Sequence, residues 1–268
     1  GHMNQIRPAA VAGLFYPGQA ASLRHMVDQL LSHNPVAESH TAPPRALVVP
    51  HAGLVYSGGT AARSYNLLSD AIQAGCHWRR ILLLGPNHRV PLRGIAAPEA
   101  DMFATPAGSM AIDRQAIEAL EQNYDVQLRP DVHALEHCLE VQLPFLIKLL
   151  PSARLIPLVV GQESPERVAD LVEWAWNQGD VLVVVSTDLS HYHAYDEACA
   201  IDAETDELIR TLSPRVLPEQ ACGAYALNGL LLAAQRRGLA VECLGRCNSG
   251  DTAGSRDQVV GYGSYAVF

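Results

Sequence analysis

The sequence predicts one α/β domain with a central, mainly parallel β-sheet that helices cover on both faces. Two observations lead to this fold class. Short apolar runs without polar alternation are typical of strands that are buried on both faces, and segments with helical periodicity separate these runs. The chain has 268 residues, enough to bury a full core. We expect residues 4–268 to form a single domain, and we set aside Gly1, His2 and Met3 as a tag remnant.

The elements follow one another as alternating strands and helices. The predicted strands are Ala46–Val49, Ile81–Leu84, Leu155–Val160, Val181–Val185 and Val259–Val267. The predicted helices are Ala20–His33, Thr60–Leu68, Ile112–Glu121, Glu136–Leu150, Pro165–Trp176, Asp196–Leu212 and Gly223–Arg237. Ser164 is a typical N-cap before Pro165, and Gly238 is a typical helix stop. The segment Asn34–Pro44 has no apolar periodicity and is predicted to be a surface connection.

Composition excludes several classes of function. The formal net charge of -9 argues against nucleic acid as the main partner, because phosphate binding needs a basic surface. The longest apolar runs, such as Val181–Val185, are too short to cross a bilayer. Six dispersed cysteines without a CxxC pair are typical of a reduced, cytoplasmic protein in which most thiols are buried. We therefore expect a cytoplasmic protein with no membrane or nucleic-acid partner.

Three histidines follow three of the predicted strands. His51 comes after Ala46–Val49, His88 after Ile81–Leu84, and His191 after Val181–Val185. Parallel strands place their carboxyl ends at one edge of the sheet, where open α/β sheets bind ligands. We therefore expect the three histidines to meet in one site. A lone histidine after a strand is usually a loop residue, but three in the same position are a stronger signal.

Asp188 and Cys222 extend this predicted site. Asp188 precedes His191 by three residues and is suited to orient a histidine ring; the alternative is an Asx turn that closes the strand. Cys222 precedes a predicted helix, whose N-terminal dipole favours a thiolate. A thiolate with two imidazoles suits Fe(II), Cu or Zn. The alternative for Cys222 is a buried cysteine near a helix cap.

A competing motif lies between two of the strands. The stretch from His133 to His137 matches the HxxEH pattern of inverted zinc peptidases. On one helix, two histidines four residues apart share a face and can bind one zinc ion. Pro130 and Asp131 predict that the helix begins near His133, which leaves that histidine in the first turn. A zinc peptidase is therefore the less favoured hypothesis.

The sequence also resembles a known family along nearly its whole length. The matching stretches, in chain order, are Ala12-Gly13-Leu14-Phe15-Tyr16, Pro50-His51-Ala52-Gly53, Gly85-Pro86-Asn87-His88, Glu136-His137-Cys138-Leu139-Glu140, Ser186-Thr187-Asp188-Leu189-Ser190-His191, Ala221-Cys222-Gly223 and Val260-Gly261-Tyr262. With these stretches the sequence is similar to the Memo family, also called the AmmeMemoRadiSam system protein B family, which resembles the class III (LigB-type) extradiol dioxygenases in fold.

The resemblance implies a specific site. It implies that His51, His88 and Cys222 bind Fe(II) or Cu, with Zn as a further option, where an extradiol dioxygenase has a carboxylate as the third ligand. In this scheme His191 is a general acid or base and Asp188 orients it. The resemblance also implies pocket residues, and these are Phe15, Tyr16, Tyr56, Glu136, His137 and Glu140.

The resemblance implies a metal-dependent, redox-type activity on an unknown small molecule. The alternative from another class is a non-catalytic module that binds a peptide or small ligand in the same pocket, because a retained fold does not guarantee retained chemistry. The family name further implies a functional link to a radical-SAM protein.

Overall fold

The computed structural model describes residues 5–36 and 42–268. The proposed tag remnant, Gly1 to Met3, lies outside the described residues, as does the central part (37–41) of the predicted surface connection. The described ends of that connection, 34–36 and 42–44, lie outside helices and strands, as expected. Within the described residues, no helix combines the length and apolar character needed to cross a membrane.

Strands and helices alternate along most of the chain. The strands are β1 Ile6–Arg7, β2 Ala46–Val49, β3 Arg80–Gly85, β4 Ile95–Ala97, β5 Met102–Thr105, β6 Gly108–Ala111, β7 Gln127–Leu128, β8 Arg154–Val160, β9 Val181–Ser186, β10 His191–His193, β11 Val241–Asn248 and β12 Val259–Val267. The helices are α1 Ala20–His33, α2 Leu54–Gln73, α3 Arg114–Asn123, α4 Pro130–His133, α5 Leu143–Leu149, α6 Pro165–Gln178, α7 Tyr195–Arg210 and α8 Ala224–Arg236. A 3-10 turn, Glu140–Gln142, leads into α5.

A nine-stranded sheet forms the centre of the described structure. Its order is β10-β12-β2-β9-β3-β8-β4-β7, and β11 also pairs with β12. The central strands β2, β9, β3 and β8 are parallel, and their residues from 181 to 186 and 81 to 85 are completely buried. The predicted parallel core is therefore confirmed. The last predicted strand, β12, instead runs antiparallel to β2, so the sheet is mixed.

Helices pack on the sheet in two groups. Helix α2 contacts β2 and β12 and packs with α1 and α5, whereas α6 and α8 pack together against β9. The caps follow the sequence: Ser164 Oγ accepts a hydrogen bond from the backbone N–H of Arg167 at 3.4 Å, and Gly238 has a left-handed φ of 65° after α8. The short sheet β1-β5-β6 lies apart from the main sheet.

One predicted helix is wrong in its first part. We expected a helix over Glu136–Leu150, but residues 136–139 form a loop, and only the 3-10 turn and α5 are helical. The Glu136 carboxylate accepts a hydrogen bond from the N–H of Cys138, so a side chain satisfies the backbone there. Such local side-chain bonds compete with helix formation. This loop is important because it borders the candidate site.

The contact between α6 and α8 depends on a glycine. A Cβ atom at Gly229 would lie 2.2 Å from Cγ1 and 2.3 Å from Cβ of Val168. We predict that Gly229→Ala lowers the free energy of unfolding by about 1–3 kcal/mol through overpacking. Without a clash, alanine would stabilise the helix by about 1 kcal/mol relative to glycine. A lower free energy of unfolding in Gly229→Ala would therefore indicate the clash with Val168.

Gly59→Ala in α2 is the matched control. A Cβ atom there would meet only the flexible side chain of Asn34, at 3.1 Å, so this variant should be neutral or slightly more stable. Chemical denaturation of the wild type and both variants measures the difference. A Gly229→Ala variant as stable as Gly59→Ala would contradict the packing described for α6 and α8.

Candidate metal centre and pocket

His51 is the most buried residue of the candidate site. It follows β2, and only 1% of its surface is exposed. Its backbone N–H donates to Asp188 Oδ1 at 2.8 Å, and its ring Nδ1 lies 2.9 Å from Ser186 Oγ. Burial, together with the neighbouring His88, lowers the pKa of His51 well below its usual range. The ring is therefore neutral at pH 7, the form in which histidine binds metals.

His88 lies beyond β3 and is held by a carboxylate. Glu136 accepts hydrogen bonds from the backbone N–H of His88 and from its ring Nδ1, the latter at 2.8 Å. Burial would raise the pKa of Glu136, but the bond and charge of His88 lower it to about 2. A carboxylate on Nδ1 fixes the tautomer and leaves Nε2 free to bind a metal.

Three imidazole rings meet beyond the strand ends. The His51 and His88 centroids are 5.1 Å apart with a T-shaped arrangement, and His137 stacks on His88 at 4.5 Å. One ring nitrogen from each of His51, His88 and His137 lies within 4.8 Å of the other two. This group is a candidate metal centre. The convergence predicted for His51 and His88 is therefore seen in the structure.

A second group, His88, Glu136 and Cys138, also has metal-ligand spacing, but its members already have partners. Glu136 holds His88, and the Cys138 thiol donates to the carbonyl of Pro86 at 3.1 Å. Burial raises the pKa of Cys138 well above its usual range. This group therefore supports His88 in its present position.

The three rings border a pocket of about 450 Å³. Of the predicted pocket residues, Phe15, Tyr56 and His137 line it, and Asp188 and His191 do as well. The complete lining is Phe15, His51, Ala52, Gly53, Tyr56, His88, His137, Asp188, His191, Tyr192, Ser249, Gly254, Gln258, Val260 and Tyr262. Tyr192, Ser249 and Gln258 were not predicted as pocket residues. Tyr192 is exposed and has an unusual φ of 66°, and no sequence pattern indicates this backbone conformation.

Tyr16, Glu140 and Glu136 do not line this pocket, contrary to prediction. Glu140 is fully buried and forms an ion pair with Arg7 at 2.7 Å. It also accepts hydrogen bonds from the Tyr16 hydroxyl at 2.7 Å and from the N–H groups of Ala10 and Val11. These residues join the N-terminal segment to the loop after α4. Arg7, Tyr16 and Glu140 have a structural role because their polar groups bond one another, whereas the Glu136 carboxylate holds His88.

Cys222 lies beside His51, where the sequence places it. Its Sγ atom is 3.4 Å from His51 Nε2 and accepts a hydrogen bond from the N–H of Asp188 at 3.4 Å. It belongs to neither of the two groups with metal-ligand spacing. Burial and the Asp188 carboxylate raise the pKa of Cys222 to about 12. This direction is opposite to the low-pKa thiol expected before α8, and the hydrogen bonds from the Asp188 N–H and the Thr187 hydroxyl only partly offset the effect of burial.

Asp188 and His191 share the pocket but are not joined by a hydrogen bond in the described structure. Asp188 instead bonds the backbone of His51, and its Oδ2 lies 3.7 Å from His51 Nε2. Burial lowers the pKa of His191, although Asp188 opposes this shift. Among the described side chains, His191 Nε2 and His137 Nδ1 are buried without a hydrogen-bond partner. Both are donor or acceptor atoms beside the candidate metal centre.

The HxxEH motif does not form a zinc site in this structure. Helix α4 ends at His133, and His133 Nε2 bonds the carbonyl of Ala96 at 2.8 Å. His137 lies in the following loop and stacks on Phe15 and His88. The two histidines therefore do not share a helical face, which removes the basis for the peptidase hypothesis.

Comparison with known proteins agrees with this geometry. The family model described as Memo-like protein matches residues 7–266. The chain belongs to the Memo family. The MEMO1 family protein Ta0237 of Thermoplasma acidophilum is 34% identical over 272 residues, covering 96% of this chain and 97% of that protein. A MEMO1 family protein of Ignicoccus hospitalis is also 34% identical, over 280 residues and 96% of each chain.

A solved structure supports the fold alone. The uncharacterized protein JW3007 of Escherichia coli K12 matches with a TM-score of 0.51 at 14% identity, covering 81% of this chain and 98% of that chain. The α/β architecture is therefore shared with that protein, whereas the Memo family relatives match the chain along nearly its whole length. The chemistry of the site has to be argued from its residues.

His133 provides a test of the described loop. Its burial lowers its pKa to about 4, whereas an unfolded histidine titrates near 6.5. Between these values the unfolded chain binds a proton that the folded chain does not, so stability is lost as the pH falls from about 6.5 to 4. We predict that wild type loses about 2–3 kcal/mol more than His133→Gln between pH 7.5 and 4.5.

Glutamine keeps a donor for the Ala96 carbonyl but does not titrate. The other buried histidines are common to both proteins, so their contributions cancel in the comparison. Urea unfolding at the two pH values measures the difference. Equal losses in the two proteins would mean that His133 is solvated or protonated in the fold.

Proposed function

We propose that this Memo family member is a metal-dependent oxidoreductase that acts on a small molecule in the pocket beside His51 and His88. The observation that carries the proposal is the pair of adjacent imidazole rings, His51 and His88, with a thiol 3.4 Å from His51 Nε2. Nitrogen and sulfur donors suit Fe(II), Cu or Zn, and we favour iron or copper for redox chemistry. A bound ion of this kind would supply Lewis acidity and electron transfer.

Ring orientation favours Cys222 over His137 as the third ligand. The His51 and His88 planes are 79° apart, so their in-plane lone pairs can converge on one point. The stacked His88 and His137 planes are only 25° apart at a centroid distance of 4.5 Å. Nearly parallel rings direct their lone pairs side by side, not toward one ion. We therefore propose His51, His88 and Cys222 as ligands, with His137 packed against them.

The donors also fit a metal in their protonation states. The neutral ring of His51 needs no deprotonation, and a metal ion displaces the thiol proton of a coordinating cysteine. The Asp188 carboxylate lies 3.7 Å from His51 Nε2, close enough to balance the charge of an ion bound there. Its own pKa is raised by burial, and a nearby cation would counteract that shift.

His191 is proposed to move the proton. Its Nε2 atom is buried without a partner at the pocket, and burial keeps the ring neutral near pH 7. A neutral imidazole can accept a proton from a substrate hydroxyl and return it later. We propose Asp188 as the acidic neighbour of His191, although the hydrogen bond of its carboxylate is to the backbone of His51.

A second candidate function is a non-catalytic binding module. Tyr192 and Tyr56 line the pocket and are 68% and 40% exposed, and exposed aromatic side chains are typical of recognition surfaces. In that case the same pocket would hold a peptide or small ligand without turnover. The family name implies a functional link to a radical-SAM protein. We propose this link as an association, and it is compatible with either function.

The ligand assignment predicts distinct effects of two substitutions. Cys222→Ala should weaken binding of Zn(II) or Fe(II) by more than about 100-fold, beyond the 10–100-fold typical of outer residues. His137→Gln, the control, should change affinity by less than about 10-fold. Metal titration of protein prepared without oxygen measures both, with about one ion per wild-type chain expected. The reverse order of effects would make His137 the third ligand.

The assignment of His191 predicts a separation of turnover from metal binding. In iron-loaded protein that consumes O2 with a catechol-like reducing substrate, His191→Ala should lower turnover by about 10²–10⁴-fold and leave metal content unchanged. His193→Ala is the matched control, because His193 pairs with Glu197 at 3.3 Å outside the pocket lining. Loss of metal in His191→Ala would refute this role. A broad substrate screen without O2 uptake would favour the binding module.

A further inference from the structure

A chain of neutral hydrogen-bonding groups runs from the protein interior to His51. The Tyr65 hydroxyl donates to Gln142 Oε1 at 2.7 Å, and Gln142 Nε2 donates to Ser186 Oγ at 3.0 Å. Ser186 Oγ then meets His51 Nδ1 at 2.9 Å. Tyr65, Gln142 and Ser186 are fully buried, and none of them lines the pocket.

The orientation of the Gln142 amide is determined by a carbonyl. Gln142 Nε2 also lies 2.8 Å from the carbonyl oxygen of Pro50, which can only accept a hydrogen bond. The opposite amide orientation would place Oε1 against this oxygen and leave two acceptors facing each other. The NH2 group therefore faces Pro50 and Ser186, and both of its protons are used.

The direction of the Ser186 hydroxyl follows from the same reasoning. Ser186 Oγ is 2.7 Å from the carbonyl oxygen of Cys138 and donates its single proton there. Its two lone pairs remain for Gln142 Nε2 and for His51 Nδ1. His51 Nδ1 must then be the donor, because Ser186 has no second proton to give.

We propose that Ser186 and Gln142 are positioning residues that fix His51 in the tautomer with its proton on Nδ1. The lone pair of Nε2 is thereby directed to the side where Cys222 lies 3.4 Å away. His51 and His88 then both carry a proton on Nδ1, but a neutral hydroxyl accepts the first and the Glu136 carboxylate accepts the second. The consequence for metal affinity rests on the proposed function, whereas the tautomer itself does not.

Nitrogen-15 NMR of the metal-free protein tests the tautomer directly. In wild type we expect a protonated Nδ1 and an unprotonated Nε2 for His51, with the signals assigned by their loss in His51→Asn. In Ser186→Ala the acceptor is gone, and we expect the Nε2-protonated form to appear. Zn(II) affinity should fall by about 10–100-fold in the same variant, the range typical of outer partners of a metal ligand.

Ser64→Ala is the matched control. Ser64 is also a fully buried serine and bonds Ser264 Oγ at 2.5 Å and the carbonyl of Tyr265. It should lose comparable stability and leave both the His51 tautomer and Zn(II) affinity unchanged. This comparison separates a positioning role from a general loss of a buried hydroxyl.

The outcomes distinguish this inference from the proposed function. A proton on Nε2 of His51 in wild type overturns the inference without any variant, even if Ser186→Ala does not fold. An unchanged tautomer in a folded Ser186→Ala protein also overturns it. If wild type has the expected tautomer but binds neither Zn(II) nor Fe(II), the inference stands and the proposed metal site fails.

Discussion

The buried ion pair between Arg7 and Glu140 is the interaction on which the surroundings of the pocket depend. Arg7 also donates to the backbone carbonyls of His133 and Glu136 at 2.8 and 2.6 Å, and Glu140 binds the chain near Tyr16. Two segments that are far apart in sequence are thus held together. Removal of one partner would leave an uncompensated buried charge, at a typical cost of about 3–5 kcal/mol. The loop that carries Glu136 and His137 is not helical, so the Arg7–Glu140 pair and the hydrogen bonds of Arg7 hold it in place.

The site combines rigid and adaptable supports. His51 follows a fully buried strand and its ring Nδ1 meets a neutral hydroxyl, whereas His88 lies in a partly exposed loop and its ring Nδ1 meets a carboxylate. A carboxylate partner makes an imidazole a stronger donor than a neutral partner does. The two rings are therefore chemically unequal although they are the same residue type. In the proposed metal site, His51 would be the weaker donor in a rigid position, and His88 would be the stronger donor because of its carboxylate partner.

Burial explains which parts of the fold could be predicted from sequence. Strands β2 and β9 were predicted within a residue because a strand covered on both faces must be apolar throughout. Strand β11, with mostly half-buried residues, carries no such pattern and was not predicted. The loop at residues 136–139 was predicted as helix, because periodicity does not reveal that the Glu136 carboxylate bonds the backbone of Cys138.

The candidate site was predictable to a similar degree. The positions of His51 and His88 follow from the shared edge of parallel strands. The raised pKa of Cys222 could not be inferred, because the sequence shows the following helix but not the burial of the thiol or its proximity to Asp188. The partnership of Glu140 with Arg7 was also hidden, since a pair 133 residues apart leaves no local signal.

The proposed metal ligands His51 and Cys222 are 171 residues apart in sequence, which would determine when a newly made chain could bind an ion. His51 follows strand β2 and Cys222 precedes helix α8, so the two donors meet only in the assembled domain. A ribosome-bound chain that has not yet emerged as far as α8 contains no complete set of donors. Contacts of such long range form late in folding, and an ion that binds only the native state stabilises that state by mass action. Ion binding would then follow folding. A bound ion would stabilise the folded domain and would not nucleate its folding.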